Sequence, residues 1–100
     1  MNISSLLKYL QPLRDKDCTV YLETSYYYVP IENIDVYNGI IILNTGHRSL
    51  AIKQLVKVLL QHDDHIPVIA QYNRSLYHVV AIEVLCNKYV VTRAYKKISW

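Results

Sequence analysis

Glycine is nearly missing from this chain. Two glycines in 100 residues leave no material for the glycine-rich loops that cradle phosphate in nucleotide-binding folds. Phenylalanine is absent and tryptophan occurs once. The two cysteines, Cys18 and Cys86, sit in a sequence without secretory features, so reduced thiols are expected rather than a disulfide. No stretch approaches the ~20 consecutive apolar residues of a membrane-spanning helix. The opening residues Met1-Asn2-Ile3-Ser4-Ser5 lack the basic region and apolar run of a signal peptide, so a cytoplasmic protein without a membrane partner is expected. No G-x-S-x-G elbow occurs, and no nucleophile, base and orienting acid can be assigned together. The expectation is a non-enzymatic protein that uses no cofactor.

What the chain does have is apolar residues, 52% against 19% charged, which is far from the composition of disorder. Its length fits a single domain over residues 1–100. Acidic residues stop at Glu83, whereas Lys88, Arg93, Lys96 and Lys97 follow it. Residues 1–50 hold four basic and five acidic side chains, and residues 51–100 hold seven and three. That asymmetry hints at an anionic partner.

Sliding the chain against itself exposes a regularity at an offset of 48. Val20 falls on Val68, Ile34 on Ile82 and Val36 on Val84, while Asp15 falls on Asp63 and Asp35 on Glu83. Identities are few, but the order of apolar and polar positions recurs, and that order specifies a fold. The pattern predicts pseudo-repeat halves at 1–48 and 49–100. Each would be one helix followed by three strands, giving an α+β fold with a tandem αβββ-αβββ arrangement. Two helices would cover one face of an antiparallel sheet of about six strands.

In the first copy, Ile3, Leu6, Leu7, Leu10 and Leu13 stand at helical spacing behind Asn2 or Ser4 as N-cap, and Pro12 ends or kinks the helix. Cys18 to Glu23 reads as a strand, and Tyr26 to Tyr37 as a second strand with an irregularity at Pro30. Asn38-Gly39 is the sharpest local signal, a type I′ hairpin that sets Tyr37 against Ile40, Val36 against Ile41 and Ile34 against Leu43. Ile34, Val36, Ile41 and Leu43 would then face the core. In the second copy a helix from Leu50 to Gln61, capped by Thr45 or Ser49, is apolar nearly all round. Strands follow at Ile66–Gln71, Leu76–Leu85 and Lys88–Arg93. With Cys86-Asn87 taking the hairpin position, Ile82, Val84, Tyr89 and Val91 become the second core quartet.

The alternate face would expose Tyr37, Ile40, Ile42, Leu85 and Val90, more apolar surface than a monomer usually leaves in water. Self-association as a homodimer would cover it, and so would another protein. Ten tyrosines suit such a surface, since each couples an apolar ring to a polar tip. Candidate partner-binding residues are Tyr26, Tyr28, Tyr37, Ile40 and Leu85. The alternative is a nucleic-acid-binding protein, in which Arg74, Lys88, Arg93, Lys96 and Lys97 neutralise phosphate while Tyr95 and Trp100 offer stacking rings. His62-Asp63-Asp64-His65 has metal-ligand residue types, but it occupies the connector where Asp15 stands in the first copy, so loop polarity explains it and no metal is expected.

The first half resembles short phage and mobile-element proteins of Gram-positive bacteria, some anti-CRISPR inhibitors among them. The residues that carry this likeness are Ile3-Ser4-Ser5-Leu6-Leu7, Cys18-Thr19-Val20-Tyr21-Leu22, Tyr28-Val29-Pro30-Ile31-Glu32-Asn33-Ile34-Asp35-Val36 and Asn38-Gly39-Ile40-Ile41-Ile42-Leu43. The resemblance implies a phage-like accessory or inhibitor protein that occludes a partner, and it assigns no role to particular residues. A mildly basic chain does not suit imitation of DNA, which takes dense acidic surface.

Overall fold

The Asn38-Gly39 turn behaves as its sequence predicts. In the computed structural model both residues have positive φ, 50° and 70°, as a two-residue type I′ turn requires. It joins β2 (Tyr28–Tyr37) to β3 (Ile40–Thr45) with Tyr37 opposite Ile40 and Ile34 opposite Leu43. The structure describes every residue except Asn87, Tyr95, Ser99 and Trp100, and of Lys96 and Lys97 the backbone only. Ahead of this hairpin lie α1 (Ile3–Leu10), a short 3-10 turn over Gln11–Leu13, and β1 (Thr19–Glu23). Asn2 caps α1, its Oδ1 accepting from the Ser5 nitrogen at 2.9 Å. After β3 come α2 (Ile52–Leu59), β4 (Val68–Tyr72), β5 (Ser75–His78), β6 (Ala81–Leu85), β7 (Tyr89–Arg93) and the two-residue β8 (Lys96–Lys97).

The fold is α+β with two helices, and its sheet corrects the expected six antiparallel strands. Seven strands of four to ten residues plus β8 form one mixed sheet in the order β6-β7-β1-β2-β3-β4-β5-β8. Two pairings, β3 with β4 and β1 with β7, are parallel. The physical reason lies in the connections. A tight turn reverses the chain, but α2 carries it back along the sheet before β4 begins, so β4 must run alongside β3 in the same sense. β1–β2 sets Tyr21 opposite Pro30, and β4–β5 sets Ile69 opposite His78, positions 48 apart.

The predicted strand Leu76–Leu85 is two strands. β5 pairs with β4 at one end of the order and β6 with β7 at the other, yet only Val79 and Val80 separate them. The sheet therefore curls until its two ends are tied by two residues. Val79 is fully buried, while Val80 is 48% exposed. Met1 reinforces the seam: its nitrogen donates to the Val79 carbonyl at 3.0 Å, and its carbonyl accepts from the Val68 nitrogen at 2.9 Å. β2 bends too, through a register shift between Ile31 and Asn33, one residue past the predicted irregularity at Pro30.

One core joins the helices to the inner sheet face. Ile3, Leu6, Leu10, Ile52, Leu55 and Leu59 pack with Val20, Ile31, Ile41, Leu43, Val68, Val79 and Val90. Two predicted quartets need correction. Val36, beside the turn of the β2–β3 hairpin, is 47% exposed. In the second hairpin Leu85 opposes Tyr89 and Val84 opposes Val90, so three residues connect the strands where two were expected. Cys86 has φ 55°, and Asn87 lies outside the described residues. The extra residue exchanges faces, as a one-residue slip must. Val90 joins the core cluster, Val91 is buried as expected but beside Tyr21 and outside that cluster, and Tyr89 is 38% exposed rather than core. The helix predicted from Leu50 is likewise shorter, beginning after Ala51 with no side-chain cap, and Leu60 lies past its end.

The loop between β3 and α2 is held by one carboxylate. Glu32 Oε1 accepts from the His47 and Arg48 nitrogens at 2.9 and 3.1 Å, and these bonds lower its pKa from the ordinary 4.5. A folded pKa below the unfolded one contributes stability above the unfolded value, which is lost as pH falls through the folded value. Glu32→Gln should therefore unfold at lower denaturant than the parent at neutral pH, and the gap should narrow in acid, below the ordinary value of 4.5. Gly46→Ala should mimic it, because a Cβ there would sit 2.7 Å from Glu32 Cβ and Cδ. Urea titrations at both pH values check the pair.

Candidate functional site

Strand alternation puts Ile40 and Ile42 of β3, Ile69 and Gln71 of β4 and Leu76 of β5 on the outer face, away from the helices. The β3–β4 and β4–β5 registers bring them side by side, Ile42 next to Ile69 and Gln71 next to Leu76. They form the floor of a groove of about 720 Å³, whose walls are Tyr37 and Asn38 from one turn, Arg74 and Ser75 from another, and Ile98 beyond β8. The Ile98 nitrogen donates to the Leu76 carbonyl at 2.7 Å, which fixes that wall. Arg74 is the charged residue of the lining. It stands in a two-residue turn with Asn73, at φ 66° and 51°, joining Tyr72 to Ser75. Asparagine tolerates the left-handed region, but arginine there costs of order 1 kcal/mol, and such outliers cluster at functional sites.

A second depression, of about 330 Å³, lies at the tips of the β1–β2 and β4–β5 hairpins. Leu22, Glu23, Thr24 and Ser25 with Tyr26 and Tyr27 form one side, and Tyr72, Tyr77 and Ala94 the other. Thr24 builds the turn that presents the first two rings. Its Oγ1 donates to the Tyr27 carbonyl at 2.6 Å and accepts from the Tyr27 nitrogen at 3.1 Å. The Tyr27 and Tyr72 hydroxyls share a hydrogen bond of 2.8 Å across the depression. That bond, with desolvation second, raises the Tyr72 pKa above its ordinary 10.0, so the phenol stays neutral.

The five expected partner-binding residues do not meet. Tyr37, 66% exposed, and Ile40 share the groove, whereas Tyr26, 91% exposed, lines the tyrosine depression. Tyr28 stands opposite Glu23 and Leu85 opposite Tyr89, in neither place. Ile69, Leu76 and Ile98 were not singled out from sequence. The alternation of Ile69 and Gln71 was legible, but their adjacency to β3 needed the parallel pairing.

The basic residues are dispersed as well. Arg93 bridges two carboxylates, its Nε lying 3.1 Å from Glu23 Oε2 and its Nη2 bonding Glu83 Oε2. Its charge is thus engaged inside the protein. The Lys88 ammonium sits 5.7 Å from the centre of the Tyr89 ring, which itself packs edge-on against Tyr21. Arg74 belongs to the groove. The side chains of Lys96 and Lys97, and Tyr95 and Trp100 entirely, lie outside the described residues. Among the described residues no three His, Cys, Asp or Glu side chains gather as metal ligands. In the connector, Asp63 Oδ1 accepts from the His65 nitrogen at 3.0 Å, a turn contact. Cys18 is buried and Cys86 exposed, and among the described residues no helix is long and apolar enough to cross a membrane.

Comparison with protein-family models, with curated proteins and with solved structures found no match to this chain.

Proposed function

We propose that the chain is a small non-enzymatic protein-binding module, an accessory or inhibitor protein that docks through the outer-face groove. The observation that carries this reading is the combination of an isoleucine- and leucine-lined floor with one arginine held in a strained turn at its rim. The chemistry commits the occupant. It is an apolar segment of a different protein bearing a carboxylate that reaches Arg74, since guanidinium pairs with carboxylate in a two-pronged geometry and no acid lines the groove among the described residues. Tyr37 supplies the ring-and-hydroxyl contact typical of interface anchors. Both halves, 1–48 and 49–100, are taken here as versions of one helix-and-three-strand unit, a reading supported by the equal 48-residue spacing of the β1–β2 and β4–β5 pairs. Phosphate binding is the weaker reading because Arg93 already answers two acids.

A photo-crosslinking residue placed at Tyr37 should capture one discrete protein in the native host, and the same residue at Tyr9, exposed on α1, should not. Adding Arg74→Gly should reduce capture about tenfold or more, the scale of a lost charged contact, while leaving thermal stability equal or higher because glycine relieves the turn. Capture at both positions, or a crosslink only to a second copy of the chain, overturns the proposal. The latter result would assign the groove to a homodimer.

A further inference from the structure

The helix layer, on the other side of the sheet from the groove, carries charge of one sign. Neither α1 nor α2 contains an acidic residue. With Leu6, Leu10, Leu55 and Leu59 among the residues turned inward, Lys8, Lys53 and Lys57 are left exposed. Two adjoining depressions connect them: Lys8 lines one, Lys53 and Lys57 line the other, and Arg14 with Asp15 belongs to both. Among the described residues no ion pair involves these lysines. All eight acidic side chains of the chain are described and lie elsewhere or are matched locally. Asp15 stands 3.9 Å from Arg14, and Asp17 follows Lys16, so that loop is neutral by itself. Glu23 and Glu83 answer Arg93, Glu32 holds the His47 and Arg48 nitrogens, and Asp35 accepts from Asn44. Asp63 and Asp64 sit in the connector beyond α2 and line neither depression.

Helix stability does not account for this arrangement. Lys8 and Lys57 stand in last turns, where the dipole favours a cation. Lys53 stands in the first turn of α2, where the dipole opposes it, and four residues from Lys57, where like charges repel. We propose that the helix layer docks on the phosphate backbone of a nucleic-acid duplex, with Lys8, Lys53 and Lys57 each neutralising a phosphate. Ser4, Gln54 and Gln61, exposed beside them, are side chains of the kind that hydrogen-bond phosphate and sugar. An anionic membrane asks instead for an apolar row that inserts, whereas Tyr9 on α1 and Leu60 past α2 are the large apolar side chains exposed here. The surface is separate from the C-terminal lysines and from the groove, so a duplex and a protein partner can be held together.

The test is fluorescence anisotropy of the whole protein with a short labelled DNA duplex at several salt concentrations. Three neutralised phosphates give a slope of log affinity against log salt of about −2.7, a loss of about fortyfold between about 50 and about 200 mM salt. Lys53→Gln should bring that slope nearer zero by about one unit. Lys53→Glu should weaken binding about tenfold or more at about 50 mM salt, the counterion-release share of one phosphate. The same variant should melt at higher temperature, because a carboxylate suits the helix start and pairs with Lys57. A lysine with a purely structural role would not move binding and stability in opposite directions. Arg74→Gly removes an equal charge from the groove and should leave duplex binding unchanged. Vesicles containing phosphatidylserine are the second probe, and binding to them with none to the duplex assigns a membrane and overturns the proposal. A salt slope near zero, parental binding by Lys53→Glu, or equal losses in Arg74→Gly and Lys53→Gln overturns it as well.

Discussion

Val79→Asp should abolish cooperative folding, whereas Val80→Asp, one residue away, should fold like the parent. Val79 is fully buried in the core and Val80 is 48% exposed, because successive residues of an extended chain face opposite sides. An aspartate at 79 would bring a carboxylate into a cluster that includes Leu43, Val68 and Val90. Burying an unpaired ion costs several kcal/mol even after relaxation, against a total stability of about 5–15 kcal/mol for a domain of this kind. Position 79 is also where the sheet's two ends are joined, so relaxing it to let water reach the carboxylate would separate β5 from β6. Far-UV circular dichroism and a urea titration of the two variants decide the matter. A cooperative transition in Val79→Asp near the parent midpoint would mean that the seam is not part of the core.

Leu55→Ala should cost about 2–5 kcal/mol, the range for a leucine truncated in a packed interior, and should lower the melting temperature by about 10 °C or more. Leu60→Ala should stay within about 0.5 kcal/mol of the parent. From sequence the two leucines are equivalent, both lying in a stretch that reads as apolar around nearly its whole circumference. In the structure α2 stops at Leu59. Leu55 is fully buried and Leu60 is 52% exposed. Differential scanning calorimetry of both variants checks the contrast. Equal losses would show that something covers the Leu60 side of the helix end, which is what a dimer through α2 would require.

The pair also shows where local reading succeeds. α1, its Asn2 cap, the β2–β3 hairpin and the approximate places of β1, β4 and β7 follow from spacing and turn chemistry, which act over a few residues, whereas β5 and β6 read as one strand and β8 as none. The second hairpin did not, because Cys86-Asn87 lacks the glycine that makes a two-residue turn unmistakable, and one added residue exchanged the faces of Tyr89 and Val90. The candidate site was legible only in pieces. Tyr37 and Ile40 were found as exposed residues of a hairpin, and Arg74 as a candidate phosphate contact, without any sign that they line one groove.

Sequence alone determined the α+β class, the buried face of α1 and the alternation of sides along most strands, since periodicity and turns are local properties. Tertiary structure alone decided the two parallel pairings, the curl that ties β5 to β6, and the assembly of the groove and the tyrosine depression. These depend on contacts between segments distant along the chain, as in β1 beside β7 or Tyr27 bonded to Tyr72. No short-range pattern encodes which distant strand is the neighbour, because many pairings would satisfy the same alternation and only simultaneous burial of one shared core selects among them.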